Sequence, residues 1–411
     1  MSATNESLAA TEAPGTANQA GISRGLTLFL AACTGIVAAN LYYAQPLLHA
    51  IAATFGVGES QAGFIVTLTQ IGYALGLAFL VPLGDLVPRR KLTFTLLMVA
   101  AVALVASATA QAIGVLVGVA ALIGIGSVAA QVLVPLGASM ARPERRGQVV
   151  GTIMTGLLLG ILLARTVSGV LGDLFGWRVV YWLAAAVAVG LGLVMLRVLP
   201  ADDRTGAATG SYPQLLRTTL SLIRNEPVLR HRMLFGALSF AAFSMLWTTI
   251  AFLLAAPPYS FNEAAIGLFG LVGVAGALSG NVAGRFVDRG MQWVTTVVFA
   301  LGIALSFGLI FLGAHTLVAL IAGVLVLDIG VQGMQITNQS VIYRLAPDAT
   351  SRVTAAYMTS YFIGGAAGSA LGGIVYESSS GWGGVSLLGA ACGAGILVVH
   401  LLLSTHDQPV V

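Results

Sequence analysis

Charge is what this sequence most lacks. Only 8% of its 411 residues are Asp, Glu, Lys or Arg, too few to clothe a soluble protein of that length in polar groups. Cysteine is nearly absent too. Cys33 and Cys392 are the only two, both inside apolar runs, so a disulfide framework is not expected. The opening residues lack a basic segment ahead of a short apolar core, and no small-residue cleavage site follows, so they do not read as a signal peptide. Residues 1–24, rich in Ala, Thr, Ser and Gly, read as a disordered tail, and 406–411 as another. Missing as well are a GxxxxGK[ST] phosphate loop, His or Cys at metal-ligand spacing, and a nucleophile elbow. Enzymatic chemistry, a resident cofactor and a bound metal are therefore not expected.

Hydrophobicity takes their place: 57% of the residues are apolar and the mean hydropathy is +0.94. Apolar runs at 26–50, 61–83, 92–112, 114–140, 148–171 and 179–199 are followed by runs at 231–256, 264–284, 293–313, 316–341, 353–375 and 384–404. Each reaches the ~20 residues that carry a helix across a bilayer core. Twelve helical passes and no barrel are expected. Of 19 basic residues, all but Arg165 and Arg178 fall on one side of this topology. The positive-inside bias puts that side, with both termini, in the cytoplasm. The basic excess thus reports orientation in a lipid bilayer, and no nucleic-acid partner is needed to explain it.

Residues 200–230 are the longest polar interruption and divide 25–199 from 231–405. Within them, SYPQLLRTTLSLIRNEP sets Leu215, Leu216, Thr219, Leu222 and Ile223 on one helical face, giving either a helix lying on the membrane surface or a plain tether. The halves repeat at an offset of 204, which pairs Gly126 with Gly330, Gln131 with Gln335, Pro143 with Pro347, Met154 with Met358, Gly160 with Gly364 and Gly169 with Gly373. Small residues recur at every fourth position in span 5 (Gly156, Gly160, Ala164, Ser168, Gly172) and span 11 (Ser360, Gly364, Gly368, Gly372). Span 2 has Gly72, Gly76 and Gly84, and span 8 has Gly276, Gly280 and Gly284. Such ridges let backbones approach closely in lipid, marking spans 2, 5, 8 and 11 as the close-packing helices.

Polar groups inside a membrane need partners or water, so their arrangement points to a cavity. Span 10 reads LVLDIGVQGMQITNQS and places Asp328, Gln332, Gln335 and Gln339 on one stripe, with Asn338 beside it. Span 1 offers AANLYYAQPLLHA: Tyr42, Gln45 and His49 share one face, Asn40 and Tyr43 another, and Pro46 can distort the helix. Gln70 and Tyr73 in span 2, Gln131 in span 4, and Ser244, Trp247 and Thr248 in span 7 are weaker candidates. Asp328 is the only carboxylate near the middle of a span, and Arg165 the only cation inside one. The guanidinium either snorkels to the outer headgroups or meets a carboxylate, that of Asp328 or of a substrate.

The loop after span 2, PLGDLVPRRKL, and the one after span 8, AGRFVDRG, resemble two copies of the loop motif of the major facilitator superfamily. The motif residues here are Asp85, Arg89, Arg90 and Lys91 in the first copy, and Gly284, Asp288 and Arg289 in the second. The resemblance implies an all-α fold of two pseudo-symmetric six-helix bundles around a central cavity open to each side in turn. Helices 1, 4, 7 and 10 would line the cavity; 2, 5, 8 and 11 would meet between bundles. Asp85 would face the positive start of helix 11 and, with Arg89, latch the outward-open state. ANLYYAQPLL, AAQVLVPLGA and GILLARTVSG resemble the sugar-efflux-like and drug:proton antiporter branch of bacterial inner membranes. Where that branch has Gly-Pro in helix 5, this chain has Ala164-Arg165, so proton coupling rests on Asp328 and Arg165.

The function implied is proton-coupled export of a small organic solute by a monomer, with the proton gradient as the only coupling agent. Asn40, Tyr42, Tyr43, Gln45, Gln131, Trp247, Gln332, Gln335 and Asn338 are the expected substrate contacts. Import of a solute by symport or uniport is the nearest alternative, and a non-transporting membrane sensor is an alternative of another class.

Overall fold

The computed structural model describes residues 22–199, 211–273, 285–287, 289–345 and 349–403. The tails at 1–21 and 404–411, residues 200–210 of the linker, Gly276, Gly280, Gly284, Asp288 and Pro347 lie outside them.

The first membrane helix, α1, starts at Arg24, where the Ser23 hydroxyl accepts the Leu26 N–H at 3.2 Å and satisfies a donor that the first turn leaves unpaired. It runs regularly to Ala39 and then tightens. The N–H groups of Asn40, Leu41 and Tyr42 reach only three residues back, at 3.3, 3.2 and 2.9 Å. A 3₁₀ turn follows at Gln45–Leu47, and helix resumes over Leu48–Phe55. Pro46 brings no N–H to this stretch, so carbonyls near the middle of the pass lose their helical donors.

The other passes are α2 (Glu59–Gly84), α3 (Arg89–Ala108), α4 (Ile113–Met140), α5 (Arg146–Phe175) and α6 (Trp177–Val198). The second half has α7 (Pro227–Ala255), α8 (Glu263–Leu268, continued as 3₁₀ through Phe269–Gly273), α9 (Gln292–Leu312), α10 (Leu317–Leu345), α11 (Thr350–Glu377) and α12 (Gly381–Leu403). Nine of these are long and apolar enough to cross a bilayer among the described residues. The other three have separate reasons: α1 is broken, α8 is described only to Gly273, and α11 is diluted by Thr, Ser, Tyr and Gly.

The linker carries a helix over Tyr212–Asn225, tied to α2 by the Tyr212 hydroxyl donating to the Phe79 carbonyl at 2.8 Å. α7 begins at Pro227, inside the segment assigned to the linker. Proline is well placed there, since a first-turn residue needs no intrahelical N–H bond.

α1–α6 form one bundle, with a core including Leu30, Leu97, Leu133, Ile153 and Met195. α7–α12 form the other, around Leu246, Ile303, Leu327 and Ile396. The end of the molecule carrying Arg89, Arg90, Lys91, Arg142, Arg145 and Arg146 is the basic end; the opposite end is the far end.

The small-residue ridges do not pack where the sequence suggested. A side chain at Gly156 or Gly160 would run into the backbone of Ala31 or Gly35 in α1. Gly364 and Gly368 stand in the same relation to Ala237 and Ala241 in α7. Gly72 of α2 lies against Ala121 of α4. These ridges weld helices within each bundle. The physical reason is that backbone contact over several turns collects the most dispersion attraction available in lipid, which suits permanent contacts. The bundles meet instead through α2 against α11 and α5 against α8, with close backbone approach toward the far end. There Gly169 of α5 abuts Glu263 and Gly267 of α8, and Gly373 of α11 lies over Ser60 of α2. Gly169 and Gly373 are partners in the 204-residue repeat.

Overpacking a weld of this kind costs ~1–3 kcal/mol or more. Gly160→Leu is therefore expected to lower the melting temperature of the detergent-purified protein by several degrees. Gly190→Ala, at a site in α6 with no neighbour within 4 Å, should leave it unchanged.

Candidate functional site

Arg165 answers the question that its position in an apolar run raises. Its side chain is 5% exposed and points into the seam between the bundles, so it does not snorkel. Nε donates to Oε1 of Gln45 at 2.6 Å. The guanidinium carbon lies 4.0 Å from the ring centroid of Trp247, 4.8 Å from that of Tyr42 and 5.6 Å from that of Phe243. An arginine taken out of water can be held this way, because its planar cation stacks on π faces and is weakly hydrated. α8 makes the room: a side chain at Gly270 would stand 2.9 Å from Cβ of Arg165. The break in α1 delivers Tyr42 and Gln45 to the same place.

Asp328 on α10 completes the group at 4% exposure. Its Oδ2 occupies the space beside Gly273, where an added Cβ would be 2.6 Å away. Asp328 and Arg165 feel each other's charge, yet they make no contact ion pair. The Trp247 indole interacts with the same carboxylate, although its N–H completes no hydrogen bond. Four buried polar atoms here have no partner: Nε2 of Gln45, Nη2 of Arg165, Nε1 of Trp247 and Oδ1 of Asp328. Buried polar atoms left unsatisfied in one place are costly. Three donors and one carboxylate oxygen therefore converge on the seam, from α1, α5, α7 and α10.

The remaining expected contacts divide. Tyr42 and Asn40 are buried, while Tyr43 is half-buried and faces a groove on the outside of α1 and α5. Gln131 donates to the Tyr73 hydroxyl at 3.1 Å, and Gln335 accepts from the Tyr361 hydroxyl at 3.3 Å. Gln332 is half-buried, and Gln339 reaches the Met358 sulfur at 3.9 Å. Asn338 sits apart, fully buried, accepting from Arg232 at 3.4 Å and donating to the Tyr357 hydroxyl at 3.3 Å. His49 is exposed at the far end of its pass.

Arg232 is one of the basic residues that the sequence analysis counts on the cytoplasmic side, yet it is buried. It is 6% exposed, donates to the Thr296 hydroxyl at 2.8 Å and stitches α7 to α9 and α10. Its place at the edge of an apolar run hid this. An aromatic cluster also escaped notice: Phe240 stacks on Tyr361 at 4.1 Å, and Tyr73 lies 4.4 Å from Phe362 across the seam. Its members come from three distant passes and share no local pattern.

Around the site the seam is held by small polar contacts. Gln70 donates to Ser244 at 2.8 Å and Ser369 to the Gly63 carbonyl at 3.4 Å across the seam, while Thr248 donates to Ser369 at 2.9 Å within the second bundle. Ser369 is the repeat partner of Arg165. At the far end Thr166 donates to the Gly267 carbonyl, Asn262 to Asp173, and the Ser60 N–H to Glu377, each at 3.1 Å. Toward the basic end, Leu158 and Met154, on the Arg165 face of α5, are 37% and 40% exposed. Among the loop-motif residues, Arg89 donates to the Gly84 carbonyl at 3.1 Å and Arg90 to that of Leu196. Lys91 and Arg289 are exposed. The side chain of Asp85, with Gly284 and Asp288, lies outside what is described.

Comparison with known proteins follows this architecture. The profile of the Major Facilitator Superfamily matches residues 30–369. The chain is 49% identical to the "Uncharacterized transporter YgaY" of Escherichia coli O157:H7 over 93% of its own length and 95% of that protein. It is 26% identical to a "Probable sugar efflux transporter" of Pasteurella multocida over 80% of each. The crystal structure of the nucleoside transporter NupG superposes with a TM-score of 0.76 at 16% identity, covering 93% of this chain and all of that one, 100%; at that identity the likeness concerns the fold.

Lysine cannot reproduce the stacked, forked geometry of Arg165. Arg165→Lys should lose roughly the ~2 kcal/mol that a desolvated cation–π contact supplies, read as a lower melting temperature at neutral pH. Trp247→Phe, which keeps a ring, should lose less.

Proposed function

Because the chain belongs to the major facilitator superfamily and resembles a transporter over almost its whole length, we propose that it exports a small organic solute by alternating access, driven by protons moving the other way. The observation that carries this is the placing of Arg165 and Asp328. One buried cation on the first bundle and one buried carboxylate on the second share a site without neutralising each other directly.

A carboxylate held out of water needs a proton or a cation near it. When Asp328 carries a proton, Arg165 loses its nearby counter-charge and can bind an anionic or hydrogen-bonding group of the solute. When the proton leaves, the attraction between the bundles returns. Each step changes the relative stability of two access states, which is all that coupling requires. The unpaired donors of Gln45, Trp247 and Arg165 suit a solute rich in oxygen acceptors, and the rings of Tyr42, Trp247 and Phe243 suit its apolar part.

The far-end contacts support a state closed on that side. With the basic end in the cytoplasm of a bacterial inner membrane, this is the inward-facing state, and both termini are cytoplasmic. Efflux is favoured over import by the relative named for sugar efflux.

A thermal-shift screen of the purified protein against metabolites and antibiotics identifies the solute. Inside-out vesicles with an acidic lumen should then accumulate that solute as protons leave. Asp328→Asn should insert normally and lose this accumulation. Undiminished accumulation in the variant would refute the coupling role, and accumulation only with an alkaline lumen would make the protein an importer.

A further inference from the structure

A second feature lies on the opposite face of α5, turned away from Arg165. At the basic end, a cavity of about 800 Å³ opens between the starts of α1 and α5. Arg24, Arg142 and Arg145 line it, with Thr27, Gln148 and Thr152 between them; none of its described lining residues is acidic. Below it runs a groove of about 620 Å³, whose described lining is almost wholly apolar. The two share Leu28 and Thr152 and so form one continuous depression.

The groove owes its depth to the weld between α1 and α5. Gly35, Gly156 and Gly160 form its floor, where no side chain can project, while Leu28, Ile36 and Leu159 form its sides. From Leu28 to Ala39 it spans ~17 Å at the helical rise, the depth of one leaflet of a ~30 Å hydrocarbon core. Leu163 and Val167 at its lower end are each 47% exposed, which places it on the lipid side of the bundle and not in the seam.

We propose that this depression binds one anionic glycerophospholipid. Its phosphate and headgroup would sit among Arg24, Arg142 and Arg145, and one acyl chain would lie along the α1–α5 groove. Charge and shape argue for the same occupant. Three guanidinium groups at the headgroup level select a negative lipid, and an apolar channel leading from them accepts a chain. A soluble phosphate would satisfy only the upper half. A zwitterionic lipid would carry its own cation into a cluster of three arginines. The site is independent of the solute and of the direction of transport.

The test uses the full chain, purified in neutral detergent and stripped of lipid, then titrated with phosphatidylglycerol or with phosphatidylcholine of the same acyl chains. Retained lipid is counted by native mass spectrometry and melting temperature is followed in parallel. The wild type should hold one phosphatidylglycerol in preference to phosphatidylcholine. Arg24→Gln combined with Arg145→Gln should retain it ~30-fold less well, as expected for two basic groups at an anionic surface. Its lipid-free melting temperature should be unchanged. Ala32→Trp, which fills the groove and leaves the charges alone, should also weaken retention. Equal retention of the two lipids by the wild type, undiminished retention by both variants, or equal stabilisation by inorganic phosphate would overturn the proposal.

Discussion

A guanidinium cannot be dehydrated without compensation, and the meeting of the two bundles is organised around that constraint. Arg165 is permanently charged and almost fully buried. What compensates it comes from separate parts of the chain: an amide oxygen from the broken middle of α1 and aromatic faces from α1 and α7. Asp328 adds a more distant opposite charge from α10. Desolvation is severe enough that removing any one of these should be felt by the others. The cation therefore joins the bundles through several partial interactions in place of a single saturated ion pair. Partial interactions can be exchanged for those of a solute at a modest free-energy difference, whereas a tight buried pair would have to be broken first.

Around this charged centre the structure separates two kinds of helix contact. Contacts that must persist are made backbone to backbone, as where Gly160 meets α1 and Gly364 meets α7. Contacts between bundles mix kinds: backbone meets backbone where Gly169 abuts Gly267, and hydroxyls, amides and carboxylates join elsewhere, as Thr166 on the Gly267 carbonyl and the Ser60 N–H on Glu377. In lipid, neither kind gains from expulsion of water, so dispersion and hydrogen bonding supply the attraction in both.

Much of the architecture was legible in the sequence because lipid imposes it residue by residue. Span length, the basic bias and the distorting effect of Pro46 are read a few residues at a time, and the described helices lie close to the predicted spans, span 8 being described only as far as Gly273. The ridges were legible as ridges, but not their partners, since a stripe of glycines looks alike whether it faces its own bundle or the other. Arg165 and Asp328 were conspicuous because charge is rare. The rings that hold Arg165 were not, because Tyr42, Phe243 and Trp247 come together only after the chain has crossed the membrane several times. The burial of Arg232 was not legible for a related reason: hydropathy averages over a window and cannot tell a buried arginine at a helix end from one in a loop.

The repeat also has an electrical consequence. Position 165 in the first half corresponds to position 369 in the second, where a serine makes neutral hydrogen bonds to Thr248 and Gly63. A duplicated frame thus carries a cation on one flank and none on the other. Under the proposed coupling, a proton on Asp328 would change the attraction between α5 and α10, with no matching charge at the repeat position in α11. The two seams of the duplicated frame are thus electrically unlike at this depth, a guanidinium standing on one and hydroxyls on the other.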